Sequence, residues 1–288
     1  MLQQTRVEVV LPYYSRFLER FPNVAALSKA TDDEVTAAWS GLGYYRRARM
    51  LRDGAIAVVE RIGGRIPSTV DELLEIPGIG RYTAGAIASI AYDRRAPIVD
   101  GNVARVVSRL FATDDDAWKY AQQLVDASKS PRMLNQSLME LGALICTPRK
   151  PACLLCPART ECTAATSGRV DDFPKPKEKK ATRELEIPLY IIRDRRGRVL
   201  MRRESGALMT GMVHLPHGNA LLLGEALNVE AEERLGIVRH TVTNRRITFV
   251  VHRATLSRAP RGYQWIAIEE LEGLPHPSYV KKALSLMR

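Results

Sequence analysis

The chain is expected to fold in two parts, a mainly α-helical N-terminal part carrying a cysteine loop and a smaller α+β part after it. Three observations predict this. From Leu2 to about Gly142, apolar residues recur at three- and four-residue spacing, and no convincing strand pattern interrupts them. All four cysteines fall within seventeen residues, as Cys146-x6-Cys153-x2-Cys156-x5-Cys162. Beyond them the stretch Pro174–Arg183 holds five cations against one anion and reads as a linker, and segments rich in strand formers follow it. At 288 residues the chain is long enough for two domains with separate cores.

Taken in order, the helical spacing predicts helices over Val7–Leu18, Val35–Trp39, Ala48–Val59, Val70–Leu74, Thr83–Ala91 and Met133–Leu141. The breaks between them are Pro22, Gly41-Leu42-Gly43, Gly63-Gly64 with Pro67, Pro77-Gly78-Ile79-Gly80, and Pro97. In the second part Ile187–Arg193, Val199–Arg203, Arg246–Leu256 and Gln264–Ile268 read as strands. Glu225–Leu235 and Pro277–Met287 read as helices. The expected domains are 1–166 and 187–288, joined by a linker over 167–186.

With 43 Lys+Arg against 32 Asp+Glu the formal net charge is +11, which favours a polyanionic partner such as nucleic acid or an anionic membrane. No apolar run approaches the ~20 residues that span a bilayer, and no secretory apolar segment opens the chain. A soluble, cytoplasmic monomer is expected, in a compartment that keeps thiols reduced.

Thiolates suit zinc or an iron–sulfur cluster. All-cysteine zinc sites usually come as two Cys-x2-Cys pairs, and this run has a single pair flanked by lone cysteines on longer arms. That asymmetry favours a 4Fe-4S cluster over zinc. Arg149 and Lys150 in the long arm, with Arg159 in the last, give the loop positive charge to present to a polyanion.

Leu74-Glu-Ile-Pro-Gly-Ile-Gly-Arg-Tyr-Thr-Ala-Gly-Ala86 places a Gly-x-Gly turn between two short helices. Gly78 and Gly80 permit positive φ and let main-chain N–H groups approach a phosphate, beside Arg81. Twenty residues past Gly80 stands Asp100, in Pro97-Ile-Val-Asp-Gly-Asn-Val-Ala-Arg-Val106. On its own a carboxylate there is a helix N-cap.

Over residues 1–165 the chain resembles adenine DNA glycosylases of the MutY type, within the helix–hairpin–helix DNA glycosylase superfamily. The residues that carry the resemblance are Met1-Leu-Gln-Gln-Thr5, Trp39-Ser-Gly-Leu-Gly-Tyr-Tyr-Arg-Arg-Ala-Arg49, Ile76-Pro-Gly-Ile-Gly-Arg81, Val99-Asp-Gly-Asn-Val-Ala-Arg105 and the four-cysteine loop. The resemblance implies a helix–hairpin–helix domain with a 4Fe-4S loop held by Cys146, Cys153, Cys156 and Cys162. It also implies excision of adenine from double-stranded DNA where adenine faces 8-oxoguanine or guanine. Asp100 would stabilise the oxocarbenium-like sugar as adenine departs. Asn102 would hold Asp100 by hydrogen bonding, and Tyr82 would contact it across the pocket. Gln3, Gln4 and Tyr44 would meet the duplex, with Gln4 and Tyr44 wedged beside the lesion. Without the family match, Tyr44 and Tyr45 would read as aromatic core, as Trp39 does. Endonuclease III relatives place a lysine nucleophile where Tyr82 stands, so a Schiff-base lyase route lacks its amine.

In the family a glutamate two residues before the matching methionine protonates the leaving adenine, and that position precedes Met1. The expectation is a start site set too late, with a truncated lesion-binding protein of low turnover as the alternative. Residues 187–288 resemble the family's Nudix-like recognition domain more weakly, through Ala207-Leu-Met-Thr-Gly-Met-Val-His-Leu-Pro216. The lesion-reading loop falls on Thr243 and Asn244. Glu225-x6-Glu232-Glu233-x2-Gly236 lacks the spacing of a magnesium-binding Nudix box, so it is expected to be an amphipathic helix without hydrolase activity.

Overall fold

The structure, a computed structural model, describes residues 1–2, 5–176, 181–204, 210–218, 227, 229–242, 244–256 and 258–287. Two compact units are present: a mixed unit of Met1–Ile56 with Lys179–Arg288, and a helical unit of Ala57–Glu178. The helices within Met1–Ile56 belong to the same unit as the strands.

In the mixed unit, α1 (Val7–Arg20), α2 (Val24–Lys29) and α3 (Asp32–Ala38) precede α4 (Arg46–Ile62), of which residues up to 56 belong here. Val10, Phe17, Phe21, Leu27, Val35 and Trp39 form their buried centre. The short helices are set by their caps rather than by long apolar stripes. Asn23 accepts from the Ala26 N–H to start α2, and Thr31 and Glu34 form a reciprocal capping box at α3. Trp39 is core as expected, at 2% exposure.

The same unit holds two three-stranded sheets. In one, β5 (Arg245–Ala254) lies between β1 (Arg183–Ile192), to which it is parallel, and β4 (Ala231–Val242), to which it is antiparallel. In the other, β2 (Val199–Arg203) lies between β3 (Val213–His214) and β6 (Tyr263–Ile266). Alternate residues Ile187, Leu189 and Ile191 of β1 enter a core with Phe249, Val251 and Tyr279, the last from α11 (Ser278–Leu284).

The expected helix over Glu225–Leu235 is wrong where the structure describes it: residues 231–235 belong to β4. The charges that imitate a helix's polar face lie on an edge strand, where Glu233 pairs with Arg253 at 2.7 Å and Glu232 accepts from Thr255. Charge on an edge strand blunts pairing with other chains, so the same composition serves a different element. Only the C-terminal side of the Ala207–Pro216 segment is described.

The helical unit contains α5 (Val70–Leu74), α6 (Arg81–Ala86) with a π-helical continuation over Ile87–Ala91, α7 (Gly101–Phe111), α8 (Ala117–Ala127), α9 (Pro131–Leu144) and α10 (Thr163–Thr166). Thr69, Asp116 and Ser130 cap α5, α8 and α9, with Pro131 in the first turn of α9. Part of the stretch read as linker is folded here. Phe173 is buried, its carbonyl accepts from Arg109 at 2.9 Å, and the Lys175 N–H donates to Asp114.

Candidate active site and four-cysteine loop

Asp100 is the N-cap of α7. Its Oδ1 accepts the main-chain N–H groups of Asn102 at 2.9 Å and Val103 at 2.7 Å, which fixes the carboxylate at the positive end of the helix. Tyr82, in the first turn of α6, is half-buried, and its phenol donates to Met139 Sδ at 3.7 Å. Burial, and then the negative charge of Asp100, push the Tyr82 hydroxyl above its ordinary range. The phenol therefore stays protonated within the field of the carboxylate.

Two glycines permit this approach. A Cβ on Gly85 would stand 2.2 Å from the carbonyl oxygen of Pro97, and one on Gly142 would stand 2.7 Å from Asn102 Cβ and 3.0 Å from its carbonyl carbon. α6 and α9 thus close on the segment that carries Asp100. Asn102 hydrogen-bonds Asp100 through its main-chain N–H. Its side-chain Oδ1 instead accepts from Arg105 at 2.9 Å. A residue in the first turn already offers the carboxylate its amide, so the side chain is available to a second partner.

Arg105 and Arg109, which sequence reasoning missed, lead from this turn to the cysteines. Arg105 donates to the Gly142 carbonyl at 2.6 Å and the Cys146 carbonyl at 2.7 Å. Arg109, 3% exposed, donates to the carbonyls of Val170, Phe173 and Thr147 and to Cys146 Sγ at 3.4 Å. The available signal was two arginines four apart on an otherwise apolar helix, which place both on one face.

The four cysteines are unbridged and half-buried, and all of them line one pocket with Val106, Leu110, Leu141, Ile145 and Arg109. Burial and the neighbouring Cys146 push the Cys153 thiol up, while Arg109 pulls it down. Among the described residues, Glu204, His214 and His217 bring three ligand atoms within 4.8 Å of one another.

The residues expected to meet DNA separate into several places. Gly78 has φ +84°, but Gly80 is extended at φ −95° and is the N-cap of α6, so positive φ is needed at only one of the two glycines. The Arg81 guanidinium lies over the Trp118 ring at 4.0 Å. Arg149 and Lys150 are exposed, Lys150 at φ +50°. In the mixed unit Tyr44 is 51% exposed with φ +48°, and Arg47 lies over its ring at 5.5 Å. Tyr45 behaves as the aromatic-core reading expects, packed inward with its hydroxyl donating to the His276 carbonyl at 3.2 Å. Asn244 sits in the turn between β4 and β5, its side-chain amide donating to the Ala181 carbonyl at 3.2 Å. Gln3, Gln4 and Thr243 lie outside the described residues.

Comparison with known proteins matches both parts of the chain. The profile described as HhH-GPD superfamily base excision DNA repair protein matches residues 1–131, and the NUDIX domain profile matches 189–286. The adenine DNA glycosylase of Mus musculus is 33% identical over 360 residues, covering 99% of this chain and 70% of that protein. That of Homo sapiens is 47% identical over 174 residues, covering 57% of this chain and 32% of that protein. Among solved structures, a thermostable thymine-DNA glycosylase superposes with a TM-score of 0.53 at 30% identity, covering 58% of this chain and 80% of that one. The chain thus spans most of the mouse relative and its matched segment about a third of the human one. At 33% identity over 99% of its length to a relative of which it covers 70%, the chain belongs to the adenine DNA glycosylase family.

Proposed function

We propose that this protein hydrolyses the N-glycosidic bond of adenine mispaired with 8-oxoguanine or guanine in double-stranded DNA. The observation that carries the reading is the placement of Asp100, capped onto α7 beside a phenol that stays protonated. As the base leaves, positive charge develops on the sugar, and a carboxylate held in advance by two backbone N–H groups stabilises it without reorganising. Tyr82 shapes the wall facing that carboxylate. It carries no amine, which favours hydrolysis over a Schiff-base lyase route.

Cys146, Cys153, Cys156 and Cys162 would hold a 4Fe-4S cluster, which supplies a covalent staple and local charge to a loop with little core of its own. Arg109 orients Cys146 from within the helical unit. Arg149 and Lys150 present cations to the phosphate backbone from the same loop. Tyr44, exposed in a left-handed turn, suits insertion into a base stack. Thr243 and Asn244 read the base opposite adenine, with Asn244 held to the strand entry through Ala181.

Single-turnover adenine release from an 8-oxoguanine:A duplex tests the reading. Asp100→Asn should lower release by about 10²–10³-fold, the scale of one preorganised electrostatic group. It should leave duplex affinity at fixed salt nearly unchanged. Equal rates in the two proteins would remove Asp100 from the mechanism.

A further inference from the structure

We propose that Glu204, His214 and His217 form a second metal site, for a borderline divalent transition ion such as Zn2+, inside the Nudix-like part of the chain. The three residues lie in Glu204-x9-His214-x2-His217. Glu204 follows β2 and His214 ends β3, and the two strands pair at Arg202 with His214. The hairpin is pinned further by the Glu204 N–H donating to the Met212 carbonyl and the Gly211 N–H to the Glu204 carbonyl, both at 2.7 Å. His217 is positioned from β1 through its bridge to Leu189. Both histidines are 0% exposed and Glu204 is 2% exposed, and their ligand atoms lie within 4.8 Å of one another.

The arrangement aims donor atoms at one point. The two imidazole rings stack at 4.9 Å with planes 13° apart. His214 Nε2 meets Glu204 Oε2, and His217 Nε2 stands 3.4 Å from that same oxygen. His214 Nδ1 lies 2.8 Å from the Leu215 carbonyl oxygen, which can only accept, so Nδ1 carries the proton. His214 Nε2 and Glu204 Oε2 therefore face each other where a cation bound between them would take both as ligands. The supporting contacts are those of a metal shell. The carbonyl holds the His214 tautomer, and Arg202 Nη2 lies 3.7 Å from Oε1, the carboxylate oxygen that does not face the rings. Two imidazoles and one carboxylate suit zinc and its neighbours rather than magnesium or calcium. These ligands are distinct from the cysteine thiols, and the site does not depend on the proposed glycosylase chemistry.

The test uses the full chain purified with its iron and dialysed against micromolar free Zn2+. Zinc is expected in stoichiometric amount, and Glu204→Gln and His217→Gln should each weaken its binding by at least about tenfold while iron content stays unchanged. X-ray absorption at the zinc edge of the unmodified chain decides the matter even where a variant fails to fold. A nitrogen and oxygen shell near ~2.0–2.1 Å supports the site, whereas a sulfur shell near ~2.3 Å places zinc on the cysteines and overturns it. Failure to retain zinc, or equal retention by folded variants, also overturns it and leaves the three residues as a hydrogen-bonded core cluster.

Discussion

Asp100 does two jobs with one side chain, and substitutions separate them. Asparagine is as good an N-cap as aspartate, so Asp100→Asn should keep the stability of α7 within about 0.5 kcal/mol while adenine release collapses. Asp100→Ala removes both acceptor bonds and should cost about 1–2 kcal/mol in denaturant titration as well. Cys153→Ser tests the neighbouring loop. It should yield protein depleted in iron and acid-labile sulfide, with weakened DNA binding, because a metal-stapled loop folds with its metal. Full iron content in that variant would remove Cys153 from the ligand set.

α7 is the element that joins the two functions of the helical unit. Its first turn holds Asp100, and its buried face carries Arg105 and Arg109 to the carbonyl and sulfur of Cys146. Arg109→Met should cost several kcal/mol, on the scale of about 3–5 for breaking a buried charged network, because three carbonyls lose their donor. Arg109→Lys should rescue little, since one ammonium cannot reproduce the planar fork. Close packing makes a second prediction. Gly142→Ala puts a methyl against Asn102, where it would meet main chain as well as Cβ. The expected cost is about 1–3 kcal/mol, with adenine release lost more than DNA affinity as the Asp100 turn shifts.

Across the molecule, all five histidines fall in the second half of the chain, within the mixed unit. Burial lowers the proton affinity of His240 and His276. Below about pH 6.5 the unfolded chain protonates these rings before the folded one does, so stability is lost as pH falls through that range. Burial raises Tyr45 and Tyr82. Their contribution is complete below about pH 10 and is lost as pH rises beyond it, where the unfolded phenols ionise first. Thermal melts between pH 5 and 11 should therefore show a plateau, with the acid-side loss detected by probes in the mixed unit. That unit also bears on truncation. Deleting 184–288 takes away partners of Asp33, Ser40, Tyr45 and Arg49, including a two-bond Arg203–Asp33 pair at 2.7 and 2.8 Å. An exposed pair is worth only about 0–1 kcal/mol, so Arg203→Ala should barely change the melt, whereas the deletion should lower it measurably. Opposite-base preference is better tested by Asn244→Ala in the full chain.

The sequence by itself determined the helical character of the first half, the cysteine loop and the carboxylate opening α7. Those features rest on local signals: apolar period, ligand spacing, and a short acceptor before a helix. It also placed β1, β2, β5 and β6, whose strand formers alternate or run continuously. The tertiary structure decided what depends on distant partners. Glu232 and Glu233 became edge-strand charges because β5 offered a ladder, and residues 170–175 joined the helical unit because Phe173 found a buried place beside Arg109. Tyr44 and Tyr45 have the same side chain, yet only the fold sends one to solvent and the other to the His276 carbonyl. The meeting of Glu204 with His214 and His217 had no readable motif, since strand pairing, not spacing, brings the three side chains to one point.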